Sequence, residues 1–453
     1  MTADLVLSNA KAYVSNQIAD CCLAIDGGKI VKIGKEANMP EAGNRMNLRN
    51  RLVLPGLIDI HVHLRDEENA YKEGFYSGTA AAAAGGITTV LDMPNNSPAT
   101  MSVETLRRRM EIAESKILVN VGFYSEFPTD TEEIAYIVKE GAVAFKLYMA
   151  EQIGGIDSDD DEALLKAFKI LSRMKVPVAV HAEDKTILGE TEQKLRQSSY
   201  NDLKSFLKTH SEKVESKAVK RILEIAVQTK ARLHLCHIST RDVVRDIVRE
   251  KRSGTAVTCE VTPHHLLLSS TDLINIGTLA LTTPPIRERR HTMALWNGIT
   301  KGWIDILASD HAPHKLEEKK NKSVWNVKPG IPGLETTLPL MLTEAKQGRL
   351  SIGDIVRLMA ENPAKVFALH GRGYIEEGKN ADLVVVDLAE KYRIDASHFH
   401  SKARHSPFNG RVVEGKPVKT FVAGRLVMDE GEILAEAGSR RIIRRDSGSE
   451  IHR

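Results

Sequence analysis

Between residues 56 and 369 the chain alternates short apolar runs with longer stretches whose apolar positions recur every three or four residues. The short runs predict strands: GLIDIHV, GITTVLDM, ILVNVGF, AVAFKLYM, VPVAVHA, ARLHLCHI, AVTCEVT and WIDILAS. Between them, stretches such as VETLRRRMEIAES and DEALLKAFKILSRM keep a helical period. Eight strand-then-helix units over roughly 310 residues predict an α/β fold, a (β/α)8 TIM-like barrel.

The two ends have a different texture. Residues 1–54 hold β-like runs (LVLSNAKAYV, CCLAIDGGKIVKIG) broken by Gly and Asn, and 376–440 return to the same pattern (PVKTFVAGRLVMDEGEI). These ends are expected to pair into one small β-sandwich domain beside a barrel spanning 55–375. Residues 441–453 are basic without an apolar period and read as a frayed tail.

Composition narrows the class. A formal net charge of +3 is small for 453 residues, so nothing points to a nucleic-acid or membrane partner. No signal peptide and no apolar run of membrane-spanning length is apparent. Cys21, Cys22, Cys236 and Cys259 lack a framework spacing and read as reduced cytosolic thiols.

The chemistry starts at DIHVHLRD, residues 59–66. Positions i and i+2 of a strand share a side, so His61 and His63 reach one point, with Arg65 next along. Two neutral imidazoles converging there suit a divalent transition metal; a hydrogen-bonded histidine pair is the alternative. A barrel offers a test, because its active site lies at the C-terminal ends of its strands. Those ends carry Asn95 (MPNN), Lys146 (AFKLYM), His181 (VAVHAED), His237 (LHLCHIS) and Asp310 (ASDHAPH). Such a concentration favours the metal. An ammonium at Lys146 would be costly to desolvate inside a barrel. Its neutral amine could instead add carbon dioxide, giving N6-carboxylysine that two ions could share; an ordinary lysine paired with Asp310 or Glu183 is the alternative.

Other polar residues read as bystanders. His234 and Cys236 are expected to pack, His264 and His265 to serve in a loop or in support, and His398 and His400 to lie at the surface. The charge-rich segment 315–328 (KLEEKKNKSVWNVK) reads as a solvated loop.

The motifs PGLIDIHVHLRD, AAAAGGITTVLDMPNNSP, AFKLYMAE, VAVHAED, LHLCHIST, TCEVTPHHLLL, SDHAPH and PGIPGLETTLPLML, in this order, resemble those of the dihydroorotases of the amidohydrolase superfamily. The resemblance runs from Leu5 to Leu434. It implies reversible cyclisation of N-carbamoyl-L-aspartate to L-dihydroorotate, in pyrimidine synthesis. It implies two Zn2+ per subunit, one on His61, His63, Lys146 and Asp310, the other on Lys146, His181 and His237. Asp310 would shuttle the proton. The substrate carboxylate would meet Arg65, with Asn95, His314 and His63 beside it and main chain at Pro329 and Gly330 along the ring edge. Two departures stand out: EENAYKEGF follows the His-x-His segment where the family often has Pro-Gly, and Thr283 replaces an Asn before Pro284 and Pro285.

Three readings compete. Allantoinases and hydantoinases share the expected fold and metals, but their substrates lack the ring carboxylate that Arg65 would hold. An inactive scaffold relative would be expected to have lost ligands that are all present here. Homo-oligomerisation and association with aspartate carbamoyltransferase are left open by the sequence.

Overall fold

The computed structural model describes residues 2–445. Eight parallel strands pair in chain order: Leu57–Val62, Ile87–Asp92, Asn120–Glu126, Ala144–Tyr148, Val178–His181, Leu233–Leu235, Val257–Val261 and Ile306–Leu307. Nearly every residue in them is buried, as expected of strands covered on both faces. The eighth strand is only two residues long. Closure onto the first is completed beyond it, by a parallel bridge between Val62 and His311 and by His63 N donating to His311 O at 2.8 Å. Asp59 adds a side-chain tie, accepting from Ser309 N at 3.1 Å.

The helical periods materialise where expected. Val103–Glu114 is capped by Ser102, and Asp161–Arg173 by Asp160; both caps accept from the first turn's N–H groups. Asp161–Arg173 buries Leu164, Ala167, Phe168 and Leu171, the i, i+3, i+4, i+7 face, against the barrel. Among the described residues no helix is long and apolar enough to cross a membrane, and all four cysteines are free.

The ends of the chain combine in one continuous nine-stranded sheet. Leu52–Pro55 is the seam: it pairs with Ala3–Val14 on one side and antiparallel to Leu383–Arg393 on the other. Ala3–Val14 also pairs with Gln17–Asp26 and Ala42–Asn47, so the sheet forks there. Residues 441–445 correct one expectation. Ile442 and Ile443 are not frayed; they add a short parallel strand beside the start of the third barrel strand, at Val121 and Gly122. An isolated Ile-Ile pair is too short to show a period. Residues 446–453 of the expected tail lie outside the described part.

Candidate active site

Five of the eight barrel strands, the first, fourth, fifth, sixth and eighth, bring the candidate ligands to the C-terminal rim. His61 and His63 lie on one side of the first strand, as its two-residue period requires, with ring centroids 5.5 Å apart. Their Nε2 atoms each lie 3.4 Å from Asp310 Oδ1, so three candidate ligand atoms face one point. Across the site, His181 Nδ1 and His237 Nε2 are 3.1 Å apart, and the rings of His61 and His237 are 5.2 Å apart. Backbone geometry aims two of these groups: His237 has φ 32° and Asp310 φ 47°, a left-handed conformation that turns each side chain off its strand end.

The outer nitrogens are anchored. His61 Nδ1 bonds Glu260, His63 Nδ1 lies 2.7 Å from Asn95 Oδ1, and His181 Nε2 lies 2.9 Å from Glu183 Oε2. A histidine whose far nitrogen donates to an oxygen presents its lone pair inward, which is the state a metal ion needs. Burial holds His61, His63 and His237 below the usual imidazole range, with Arg65 adding to the effect on His63 and His181 to that on His237. Burial alone would raise Glu260 and Glu183, yet the histidines around them hold both carboxyls well below the usual range. Burial raises Asp310, opposed chiefly by His61.

Lys146 is fully buried in the middle of this group. Neither Asp310 nor Glu183 pairs with it; its Nζ donates to Cys236 Sγ at 3.0 Å and sits 4.9 Å over the Tyr148 ring. Cys236 is therefore not mere packing, because the short sixth strand ends one residue earlier and the thiol turns toward the site. His234, also expected to pack, does more: its Nε2 lies 3.1 Å from Glu260 Oε2, and its ring stands edge-on to Phe367. These donors form a neutral-imidazole, carboxylate and amine set on facing strands, and they fit divalent metal ions.

The residues expected to meet substrate lie alongside. Arg65, at φ 55°, is buried beside the candidate metal ligands, and its Nη2 donates to His314 Nε2 at 3.4 Å. Its Nε has no partner among the described residues, and no carboxylate there forms an ion pair with it. Lys72 brackets the other face of His314 and pairs with Glu318 at 2.9 Å. The Gly330 N–H donates to Leu281 O at 2.8 Å and its carbonyl accepts from Lys319. At φ 143° an added Cβ would sit 2.3 Å from Ala312 O, so only glycine fits. Thr283 precedes a cis bond to Pro284, whose carbonyl lies 3.1 Å from His265 Nε2. His265 thus supports the loop, while His398 is exposed as expected.

Several residues of the site escape a reading of the sequence. Glu260 is the main one, gathering His61 from the first strand and His234 and the His237 N–H (3.1 Å) from the sixth strand and its end. A charged residue inside VTCEVT was the available signal. Lys319 is another: within the segment expected to be solvated, it is fully buried and donates to Leu281 O, Lys328 O and Gly330 O at 3.0, 3.1 and 2.8 Å.

A closed (β/α)8 barrel gathering four histidines, a buried lysine and an aspartate at its C-terminal rim defines a hydrolase of the metal-dependent barrel class. The chain belongs to the amidohydrolase family, whose model matches residues 52–427. It is 38% identical over 418 residues to a dihydroorotase of Methanothermobacter thermautotrophicus, covering 92% of this chain and 93% of that one. A dihydroorotase of Pyrococcus horikoshii is 35% identical, with 97% and 96% covered. Among solved structures, an L-hydantoinase from Arthrobacter aurescens superposes with a TM-score of 0.94 at 32% identity, covering 98% of this chain and all of that one.

Proposed function

We propose that the protein is a dihydroorotase, hydrolysing L-dihydroorotate to N-carbamoyl-L-aspartate and catalysing the reverse cyclisation. One observation carries the choice among cyclic amidases: Arg65, a buried guanidinium at the catalytic rim with no carboxylate partner among the described residues. An unpaired buried charge is expensive, and a substrate carboxylate would satisfy it bidentately. Allantoin and hydantoin have no such group to offer.

His61, His63, Lys146 and Asp310 would hold one divalent ion and Lys146, His181 and His237 a second, with Lys146 bridging as N6-carboxylysine. Zinc suits this donor set. Bound there, the ions supply Lewis acidity toward the scissile carbonyl and the attacking water. The chain's own residues do the rest. Arg65, with Asn95 and His314 beside it, clamps the ring carboxylate and thereby sets which ring carbonyl faces the metal ligands. Asp310 takes the proton of the attacking water as oxygen adds to the acyl carbon. The bond from that carbon to the ring nitrogen then breaks, and Asp310 returns the proton to the leaving nitrogen. Cyclisation follows the same path backwards. A cytoplasmic location fits the free thiols and the metabolic substrate.

Purified protein assayed side by side with dihydroorotate, carbamoyl aspartate, allantoin and 5-substituted hydantoins tests the reading. Turnover of the first pair in preference to the others is expected. Faster turnover of a hydantoin or of allantoin would overturn it.

A further inference from the structure

Away from the catalytic rim, where the terminal sheet meets the opposite end of the barrel, lies a cavity of about 610 Å3. Its walls come from distant parts of the chain: the turn at Gly27–Gly28, the first residue of the third barrel strand (Asn120), the segment around Arg372, the turn at Ala423–Gly424, and Ser439–Arg441. Glycine lets the two turns approach each other. Gly28 and Gly424 have φ of 78° and 72°, and an added Cβ would lie 3.0 Å from Ala423 O and 2.6 Å from Ile25 Cγ2 respectively.

The lining is strongly cationic. Lys29, Arg372, Arg425, Arg440 and Arg441 face it, against only Asp4 and Asp382. Both carboxylates are already engaged. Asp4 accepts from Gly27 N at 2.9 Å; Asp382 accepts from Ala423 N at 2.7 Å and from Asn120 Nδ2 at 3.5 Å. Arg372 Nε pairs with Asp382 Oδ2 only at 3.5 Å, without hydrogen-bond geometry, and Arg440 Nε is buried without a hydrogen-bond partner among the described residues. Burial also lowers the pKa of both guanidinium groups. Guanidinium groups left in this condition carry a desolvation cost that an oxyanion would offset, and their planar forks match phosphate oxygens.

We propose that this cavity is a binding site for phosphate or a phosphate ester, separate from the catalytic centre and independent of which cyclic amide the enzyme hydrolyses. A bound phosphate would join Arg440 and Arg441, next to the Ile442–Ile443 strand, to Arg372 and the terminal sheet. Binding should therefore fasten the end of the chain onto the barrel.

Full-length protein titrated with inorganic phosphate and pyrophosphate, against chloride at matched ionic strength, tests this by calorimetry and by the shift in Tm. A saturable rise in Tm is expected, retained in Arg65→Met, which removes the anion partner of the catalytic site, and in Arg245→Met, which removes a remote exposed arginine. Arg372→Met and Arg440→Met should weaken binding by about tenfold or more. Arg425→Gln, at an exposed lining position where folding is not at stake, should weaken it measurably. Absence of saturable binding, equal binding in the lining variants, or loss in Arg65→Met would overturn the proposal. So would binding that emerges only in a variant carrying Asp446→Asn and Glu450→Gln, since the chain's own carboxylates would then be the occupants.

Discussion

Replacing Glu260 separates charge from hydrogen bonding in a way this site makes readable. Glu260 Oε1 accepts from His61 Nδ1 and His237 N, while Oε2 faces His234 Nε2 at 3.1 Å. In Glu260→Gln the amide oxygen can take the Oε1 position and keep both of its donors. The amide NH2 would then donate to His234, whose proton moves to Nδ1 and finds Thr258 Oγ1, 2.9 Å away. Every bond survives and only the charge is lost, so metal affinity should fall by about tenfold, the low end for an outer-sphere partner. Glu260→Leu strands the His61 and His237 N–H groups. Each buried orphan costs about 1–3 kcal/mol, giving roughly 2–6 kcal/mol, part of it offset by removing a buried charge. Metal affinity should then fall by about a hundredfold, because His61 is free to present the wrong tautomer. Acid sensitivity gives a second readout. A carboxyl depressed in the folded state contributes stability above its unfolded pKa of about 4.3, and loses it as pH falls toward the folded value. The metal-free glutamine variant should therefore lose less stability between neutral pH and the acid limb than metal-free wild type. Competition with a zinc chelator and urea melts across pH measure both. Wild-type metal affinity in Glu260→Leu would refute the reasoning.

Four further outcomes follow from the same geometry. Lys146→Ala should lose most bound metal and activity, with partial rescue by short carboxylic acids plus zinc; native mass spectrometry of wild type should show the added carbon dioxide, and full activity in the variant would count against a bridging role. Arg65→Met should keep its metal content, measured by elemental analysis, while kcat/KM for dihydroorotate drops by about 2–5 kcal/mol of transition-state binding. For Asp310, the hydrolytic rate should rise and the cyclising rate fall with pH, and Asp310→Asn should abolish both; parallel pH–rate profiles would remove its shuttle role. Lys319→Met removes a hydrogen-bond partner from three buried carbonyls and should raise KM and lower Tm together, both by more than Lys315→Met at the exposed start of the same segment.

The barrel was legible because strands covered on both faces are apolar throughout, so a histidine or aspartate at a run's end stands out. That contrast is why His61, His63, His181, His237 and Asp310 stand out in the sequence. Glu260 was hidden by the same logic reversed: it lies inside a strand, where one carboxylate does not announce which neighbours it will gather. Lys319 was masked by Lys315, Lys320, Lys322 and Lys328 around it. Only the tertiary fold distinguishes the one lysine that turns inward onto three carbonyls. The Ile442–Ile443 strand owes its pairing to an available edge on the third barrel strand, a property of the partner and not of those two residues.

The seam at Leu52–Pro55 has a consequence for how the molecule is made. Its antiparallel partner Leu383–Val386 emerges roughly 330 residues later, which at about 5–20 residues per second is a delay of roughly 16–66 s. During that interval Leu52, Val53 and Leu54, buried in the finished protein, have no partner on one edge. The barrel must be synthesised while the first strands of the terminal sheet wait with an open, apolar edge of the kind that invites mispairing with another nascent chain. Production of the protein should therefore depend on chaperone supply more strongly than that of a barrel of equal size whose auxiliary sheet is contiguous in sequence.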